Sequence, residues 1–185
     1  LTGKICSSFF SAVTPRTAGF NTTDIGGLSD AGKLLSIILM FIGGGSGSTA
    51  GGVKVGTVFV LVLYLRSTLF RSPGTNIFGR RIESDTITKA SAVFCTNLFF
   101  TLIGTLLLCA TQHFDLADAM LEVVSAVSTV GMTAGLTTKL NTLSKLVIIV
   151  LMYLGRVGSL SFALSFTDHK KIAHVMQPAE PINIG

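Results

Sequence analysis

Two short stretches carry the residue types that can hold a cation stripped of water: Thr17-Ala18-Gly19-Phe20-Asn21 and Thr129-Val130-Gly131-Met132-Thr133. A dehydrated cation needs several oxygens at once, and backbone carbonyls can replace its hydration shell. Gly lets neighbouring carbonyls face a common axis without a side-chain clash. The preceding Thr can add a hydroxyl. Three residues are a weak signal alone, but a gapless shift of 112 positions lays one stretch on the other and keeps matching. Leu28 falls on Leu140, Lys33 on Lys145, Ile37 on Ile149, Met40 on Met152 and Gly43 on Gly155. This is an internal repeat. A pair of helix-terminating glycines in a packed membrane protein is the blander reading of the same residues.

Other candidate chemistry is sparse. Arg156 lies inside the apolar run 143–166, where a charge requires a partner or a wet cavity. Glu122 precedes the second Thr-x-Gly and is a candidate hydrogen-bonding brace, a cation-attracting charge or a plain structural residue. The stretch from Gly27 to Leu34 nearly matches a phosphate loop, yet Leu34 stands where Ser or Thr is required and no strand precedes it. Gly43 to Gly52 is phosphate-cradling in composition but lacks an adjacent Gly-Lys-Ser or Gly-Lys-Thr. The formal sequon Asn21-Thr22-Thr23 adjoins the first turn, which disfavours its modification. His113, His169 and His174 are scattered, and Cys6, Cys95 and Cys109 lack metal-ligand spacing, so the cysteines read as small core residues. No close Ser, His and Asp set or carboxylate pair suggests an enzyme. The competing classes are an ion-conducting transporter and a non-conducting structural subunit of a membrane complex.

The elements that must position these residues follow from composition. Of 185 residues, 49% are hydrophobic and 12% charged, against about 25% charged in soluble domains. Long apolar runs with charges between them indicate an integral membrane protein. The net charge of +5 is not a nucleic-acid patch, because Lys and Arg are not interleaved with aromatics on a compact stretch. A cytoplasmic excess of basic residues accounts for it.

Cys6 to Thr14 and Ala117 to Ser128 are too short to cross a bilayer, which takes about 20 residues. Each is expected to dip in as a half-helix with its negative end toward the following Thr-x-Gly; Asp115 or Asp118 would begin the second. Leu34 to Ile42 and Val53 to Leu65 form one helix broken at Gly43 to Gly52, tolerable at membrane depth only where protein or a wet cavity satisfies the backbone. Ala90 to Thr111 and Leu143 to Phe166 are full spans.

The expected units are a partial repeat unit over 1–72, a cytoplasmic connector over 73–89 carrying Arg80, Arg81 and Lys89, a complete repeat unit over 90–167, and a cytoplasmic tail over 168–185. By the repeat, the counterpart of the span at 90–111 falls just before Leu1, so the chain is expected to begin inside a repeat. Thr129-Val130-Gly131 compares with the Thr-Val-Gly-Tyr-Gly filter of potassium channels, so the expected fold class is an all-α integral membrane protein of tandem span, re-entrant pore helix and span repeats with a potassium-channel-like architecture.

Thr14 to Thr22, Phe41 to Lys54, Ser128 to Thr133, and Leu154-Gly155-Arg156-Val157-Gly158 closely resemble the C-terminal half of the membrane subunit of the Trk/Ktr/HKT potassium-transporter superfamily. The closing Glu180-Pro181-Ile182-Asn183-Ile184-Gly185 resembles the Ktr branch. The resemblance covers nearly the whole chain and implies that 1–72 is a partial third pore unit and 90–167 the fourth. It implies potassium uptake across the cytoplasmic (inner) membrane by a multi-pass protein, passive or sodium-linked, with potassium as the bound ion, sodium as a second candidate and no organic cofactor.

The implied selectivity filter is Thr17, Ala18, Gly19 and Phe20 with Thr129, Val130, Gly131 and Met132. Thr17, Gly19, Thr129 and Gly131 would hold potassium mainly through backbone carbonyls. The implied gate is Gly43, Gly44, Gly45, Ser46, Gly47 and Ser48 with Arg156, whose charge opposes cations or satisfies loop carbonyls, two compatible roles. Implied partners are the missing N-terminal pore units, membrane lipid, a second copy in a homodimer and a cytosolic nucleotide-binding ring, with no nucleic acid. The filter departs from the Thr-Val-Gly-Tyr-Gly of potassium channels in lacking the Tyr-Gly continuation, so weaker discrimination against sodium is expected.

Overall fold

The computed structural model describes residues 2–158, apart from 23, 46, 49, 72, 73, 78 and 79. Among the described residues six α-helices run in the order α1 (Thr2–Val13), α2 (Asp30–Phe41), α3 (Val55–Leu69), α4 (Ser84–Thr111), α5 (Leu116–Val127) and α6 (Thr142–Val157). Between α3 and α4 lies a two-stranded antiparallel hairpin, β1 (Asn76–Ile77) and β2 (Arg80–Arg81).

α5 is the centre of the bundle, packed by α2, α4 and α6. From Leu121 to Val127 no residue is more than 6% exposed. A helix buried on every side must be apolar all round, and Ala-Met-Leu-Glu-Val-Val-Ser-Ala-Val is, apart from Glu122 and Ser125. Its counterpart α1 has the same length but an open face: Phe9, which corresponds to Leu121, is 72% exposed. The difference is the covering helix. α4 lies over α5, and no described residue plays that part for α1.

α4 is the one described helix long and apolar enough to cross a membrane. It reaches α5 and α6 closely because Gly104 has no side chain: a Cβ there would stand 2.6 Å from Leu151 Cδ1 and 3.0 Å from Val123 Cγ1. Small residues at such contacts are how membrane helices pack without a hydrophobic driving force. The buried Thr101 and Thr105 hydroxyls donate back to the carbonyls of Asn97 and Thr101, at 2.9 and 2.8 Å, so α4 needs no outside partners for them.

α2 and α3 are separated by residues 42–54. Ile42 and Val53 form a parallel bridge, with Gly43 N–H donating to Val53 O at 2.8 Å and Val55 N–H to Gly44 O at 3.2 Å. The chain therefore leaves the helix, loops out and rejoins beside its exit point. α2 begins at the N-cap Ser29, whose hydroxyl accepts from Gly32 N–H at 3.3 Å. Lys33, the lysine of the near-match to a phosphate loop, is buried and pairs with Asp118 at 2.6 Å. α5 begins at Asp115. α6 is described as far as Val157 and its cap Gly158, so the rest of the run to Phe166, the tail 168–185, His169 and His174 lie outside the described residues.

Candidate functional site

Each Thr-x-Gly turn closes a twelve-residue helix. After α5, Thr129 N–H donates to Ala126 O at 3.1 Å and Val130 N–H to Ser125 O at 2.9 Å, the paired closure of a Schellman motif. The motif demands a left-handed residue, normally Gly, and Thr129 occupies it at φ 55°. Thr17, four residues beyond α1, is likewise left-handed at φ 68°, but its turn closes differently, with the N–H groups of Ala18 and Gly19 both reaching Thr14 O at 3.1 and 3.3 Å. A left-handed backbone at an L-residue costs about 1–2 kcal/mol, and β-branched residues suit it least. Both copies retain it. Two residues later Gly19 and Gly131 are again left-handed, at φ 71° and 89°.

The two turns touch. A Cβ on Gly19 would fall inside the van der Waals shell of the Val130 carbonyl oxygen, whereas one on Gly131 would meet nothing within 4 Å. Beyond the turns, Asn21 Nδ2 donates to Thr133 O at 3.1 Å. Side chains treat the two copies differently. Val130 and Met132 enter the apolar core with Met40, Leu121 and Val124, while Ala18 is exposed and Phe20 is 67% exposed. What the copies share is backbone.

The segment after the second turn is braced from behind. Glu122, buried within α5, accepts from the Thr137 hydroxyl, which also lies 3.0 Å from Thr133 Oγ1; Gly135 N–H donates to Thr133 Oγ1 at 2.9 Å. A cavity of about 340 Å³ opens here, lined by Asn21, Thr22, Asp24, Thr133 and Gly135 among others.

The glycine loop meets the other end of the second turn. Gly51 N–H donates to Thr129 Oγ1 at 2.9 Å, and a Cβ on Gly52 would stand 2.7 Å from Ser128 Oγ. Gly155 of α6 packs against the Val127 carbonyl so closely that a Cβ would overlap it, and its own carbonyl would lie 2.9 Å from a Cβ on Gly51. Three chain segments thus converge on glycines.

Of the sequence-predicted residues, Thr17 to Phe20 and Thr129 to Met132 come together. Gly43 and Gly44 form the neck of the loop. Gly45 and Gly47 have open space where a Cβ would lie, Ser48 is exposed, and Ser46 lies outside the described residues. Arg156 follows Gly155, with its side chain in the exposed class. The filter and gate sets read from the sequence did not include Gly51, Gly155, Ser128 or Thr137. Gly155 had a signal, since the repeat pairs it with Gly43, while the partners of the others are fixed only by the fold.

Residues 1–174 match the family described as cation transport protein, TrkH. The chain is 43% identical over 163 residues to the Ktr system potassium uptake protein B of Bacillus subtilis, covering 88% of this chain and 37% of that protein. It is 37% identical to the potassium/sodium uptake protein NtpJ of Enterococcus hirae, covering all of this chain and 42% of that one. The chain therefore spans about two fifths of the length of these relatives. The crystal structure of the potassium transporter TrkH from Vibrio parahaemolyticus superposes with a TM-score of 0.68 at 24% identity, over 84% of this chain and 35% of that one. Members of this family are transporters and not enzymes, and with the span at Ser84–Thr111 the match places the chain in the inner membrane as part of a multi-pass protein. The chain belongs to the Trk/Ktr/HKT cation-transporter superfamily and is closely related to the Ktr system potassium uptake proteins.

Proposed function

We propose that this chain supplies two of the filter segments of a potassium uptake pore. Thr17 to Phe20 and Thr129 to Met132 offer backbone carbonyls to the ion, and the loop Gly43 to Ser48, with Arg156, restricts passage below them. The observation that carries this reading is the left-handed backbone kept at both Thr17 and Thr129 and again at both following glycines. In extended chain successive carbonyls alternate sides, and left-handed residues at every second position break that alternation. Strained backbone of this kind persists where surrounding structure over-determines it, and it clusters at ligand clamps. Contact between Gly19 and the Val130 carbonyl brings the segments to one place.

Two segments enclose an ion less completely than four. The open face of α1 and the partial length against relatives support upstream pore units that complete the ring and cover Phe9. A second copy of the subunit and a cytosolic nucleotide-binding ring are the further partners of this reading, with the connector 73–89 facing the ring. Potassium is the principal ion and sodium the second candidate.

The test is Gly131→Ser in the full reading frame, expressed in cells lacking their own potassium uptake. Rubidium and sodium uptake are measured together. Gly131 has open space around a new Cβ, so the change acts through φ 89° and not through a clash. Relative sodium uptake is expected to rise. An unchanged rubidium-to-sodium ratio removes Gly131 from the filter.

A further inference from the structure

We propose that the Thr129 side chain is a latch that positions the glycine loop, so that the loop and the second Thr-x-Gly turn move as one body while the first turn stays independent of the loop. The transport consequence rests on the filter reading above; the latch itself does not.

The loop first folds on itself: Gly43 and Val55 N–H groups bond Val53 and Gly44 carbonyls, and Ser48 N–H donates to Gly45 O at 3.0 Å. The Thr129 hydroxyl then reaches it from outside, accepting from Gly51 N–H at 2.9 Å across 78 residues of sequence. The fit around Gly51 is tight on two sides. A Cβ there would meet Thr129 Cγ2 at 2.8 Å, Thr129 Oγ1 at 2.9 Å and Gly155 O at 2.9 Å. Gly52, left-handed at φ 69°, lies over Ser128, which is fully buried. Gly155 seats on the carbonyl end of α5 at Val127. The loop is therefore clamped between the end of α5 and α6, with Thr129 as its hydrogen-bonding jaw.

The first copy shows that this is not a generic property of the turn. Thr17 has the same residue type, the same left-handed backbone and the corresponding place in the repeat. Its hydroxyl donates to the adjacent Arg16 carbonyl at 2.6 Å. The same residue type at corresponding places has acquired unequal partners, and among the described residues only the second threonine is hydrogen-bonded to the loop. Because Thr129 also sets the direction of the backbone leading into Val130 and Gly131, displacement of the loop pulls directly on that segment.

The test uses the full reading frame in lipid nanodiscs, freed of native cysteines and carrying Ser48→Cys on the exposed part of the loop. The readout is the rate of modification by a water-soluble thiol reagent, which needs no transport. Thr129→Val removes the acceptor and keeps the shape, and the rate is expected to rise about two- to tenfold, the factor one net hydrogen bond represents. Thr129→Ser keeps the hydroxyl and is expected to label at the parent rate, as is Thr17→Val. Parent-rate labelling in Thr129→Val, or an equal rise in Thr17→Val, overturns the latch.

Should Thr129→Val not be recovered folded, Gly51→Ala provides a second route. Its Cβ would stand within 3 Å of Thr129 Cγ2, Thr129 Oγ1 and Gly155 O and so forces the loop off Thr129; the labelling rate is expected to rise as in Thr129→Val, and parent-rate labelling overturns the proposal. Rubidium uptake by the same variants separates the two readings: parent protein that labels as described but shows no potassium preference retains the latch and removes the filter.

Discussion

Asn21 donates its side-chain amide to the carbonyl of Thr133, its own counterpart in the repeat, at 3.1 Å. Equivalent points of two copies meet where the chain leaves the Thr-x-Gly turns. The bond crosses between the last residues of the two Thr-x-Gly stretches, so it fixes the spacing of the two turns and not the shape of either. Asn21→Leu is expected to leave expression near normal and raise sodium uptake relative to rubidium about two- to tenfold, as loss of one net hydrogen bond allows. Competition uptake measures this, and an unchanged ratio shows that the turns are spaced by other contacts.

The two glycines are expected to fail differently. Gly19→Ala places a methyl on the Val130 carbonyl, whereas Gly131→Ala meets open space and bears only the backbone cost of φ 89°. Overpacking against backbone costs about 1–3 kcal/mol or more. Gly19→Ala should therefore lower both the yield and the thermal midpoint of purified protein, while Gly131→Ala keeps yield and alters ion preference. Fluorescence thermal unfolding with parallel uptake assays checks both.

Lys33 and Asp118 join the start of α2 to the start of α5 at 2.6 Å, with side chains only 9% and 23% exposed. Losing one partner strands the other charge in a largely dry contact. Lys33→Met and Asp118→Asn should each lower the thermal midpoint, and the exchanged pair Lys33→Asp with Asp118→Lys should recover part of the loss. Absence of recovery would mean that shape, not charge, matters at this contact.

Arg156 follows the glycine that seats α6 on α5. On the gate role proposed for it, Arg156→Ala is expected to raise rubidium flux severalfold, because a positive charge opposes the approach of a cation. Gly155→Ala, in contrast, would drive a methyl into the Val127 carbonyl and lower the amount of folded protein. Flux per unit of membrane protein distinguishes the two, and parent-level flux and gating in Arg156→Ala would take the charge out of the gate.

Helix positions were legible because hydropathy and breakers are local. Asp115 before an apolar run marks the start of α5, and ten residues dominated by glycine mark the break between α2 and α3. The left-handed threonines were not legible, since Gly is the expected occupant of such a position and the sequence puts Gly two residues later. Phe20 and Met132 read as equivalent apolar residues after the turn, yet one is exposed and the other lies in the core. Met132 packs among Ile37 and Met40 of α2 and Leu121 and Val124 of α5, whereas Phe20 is left 67% exposed.

The sequence by itself determined the membrane character, the repeat and, to within a residue, the ends of α1, α2, α4 and α5, because composition, periodicity and glycine content act over a few residues. Only the tertiary structure decided which turn holds the loop. A hydroxyl bonds whatever donor or acceptor the fold brings near, and Thr17 finds its neighbour's carbonyl while Thr129 finds an amide 78 positions away. The same residue in the same local conformation thus acquires different work from the segments packed around it.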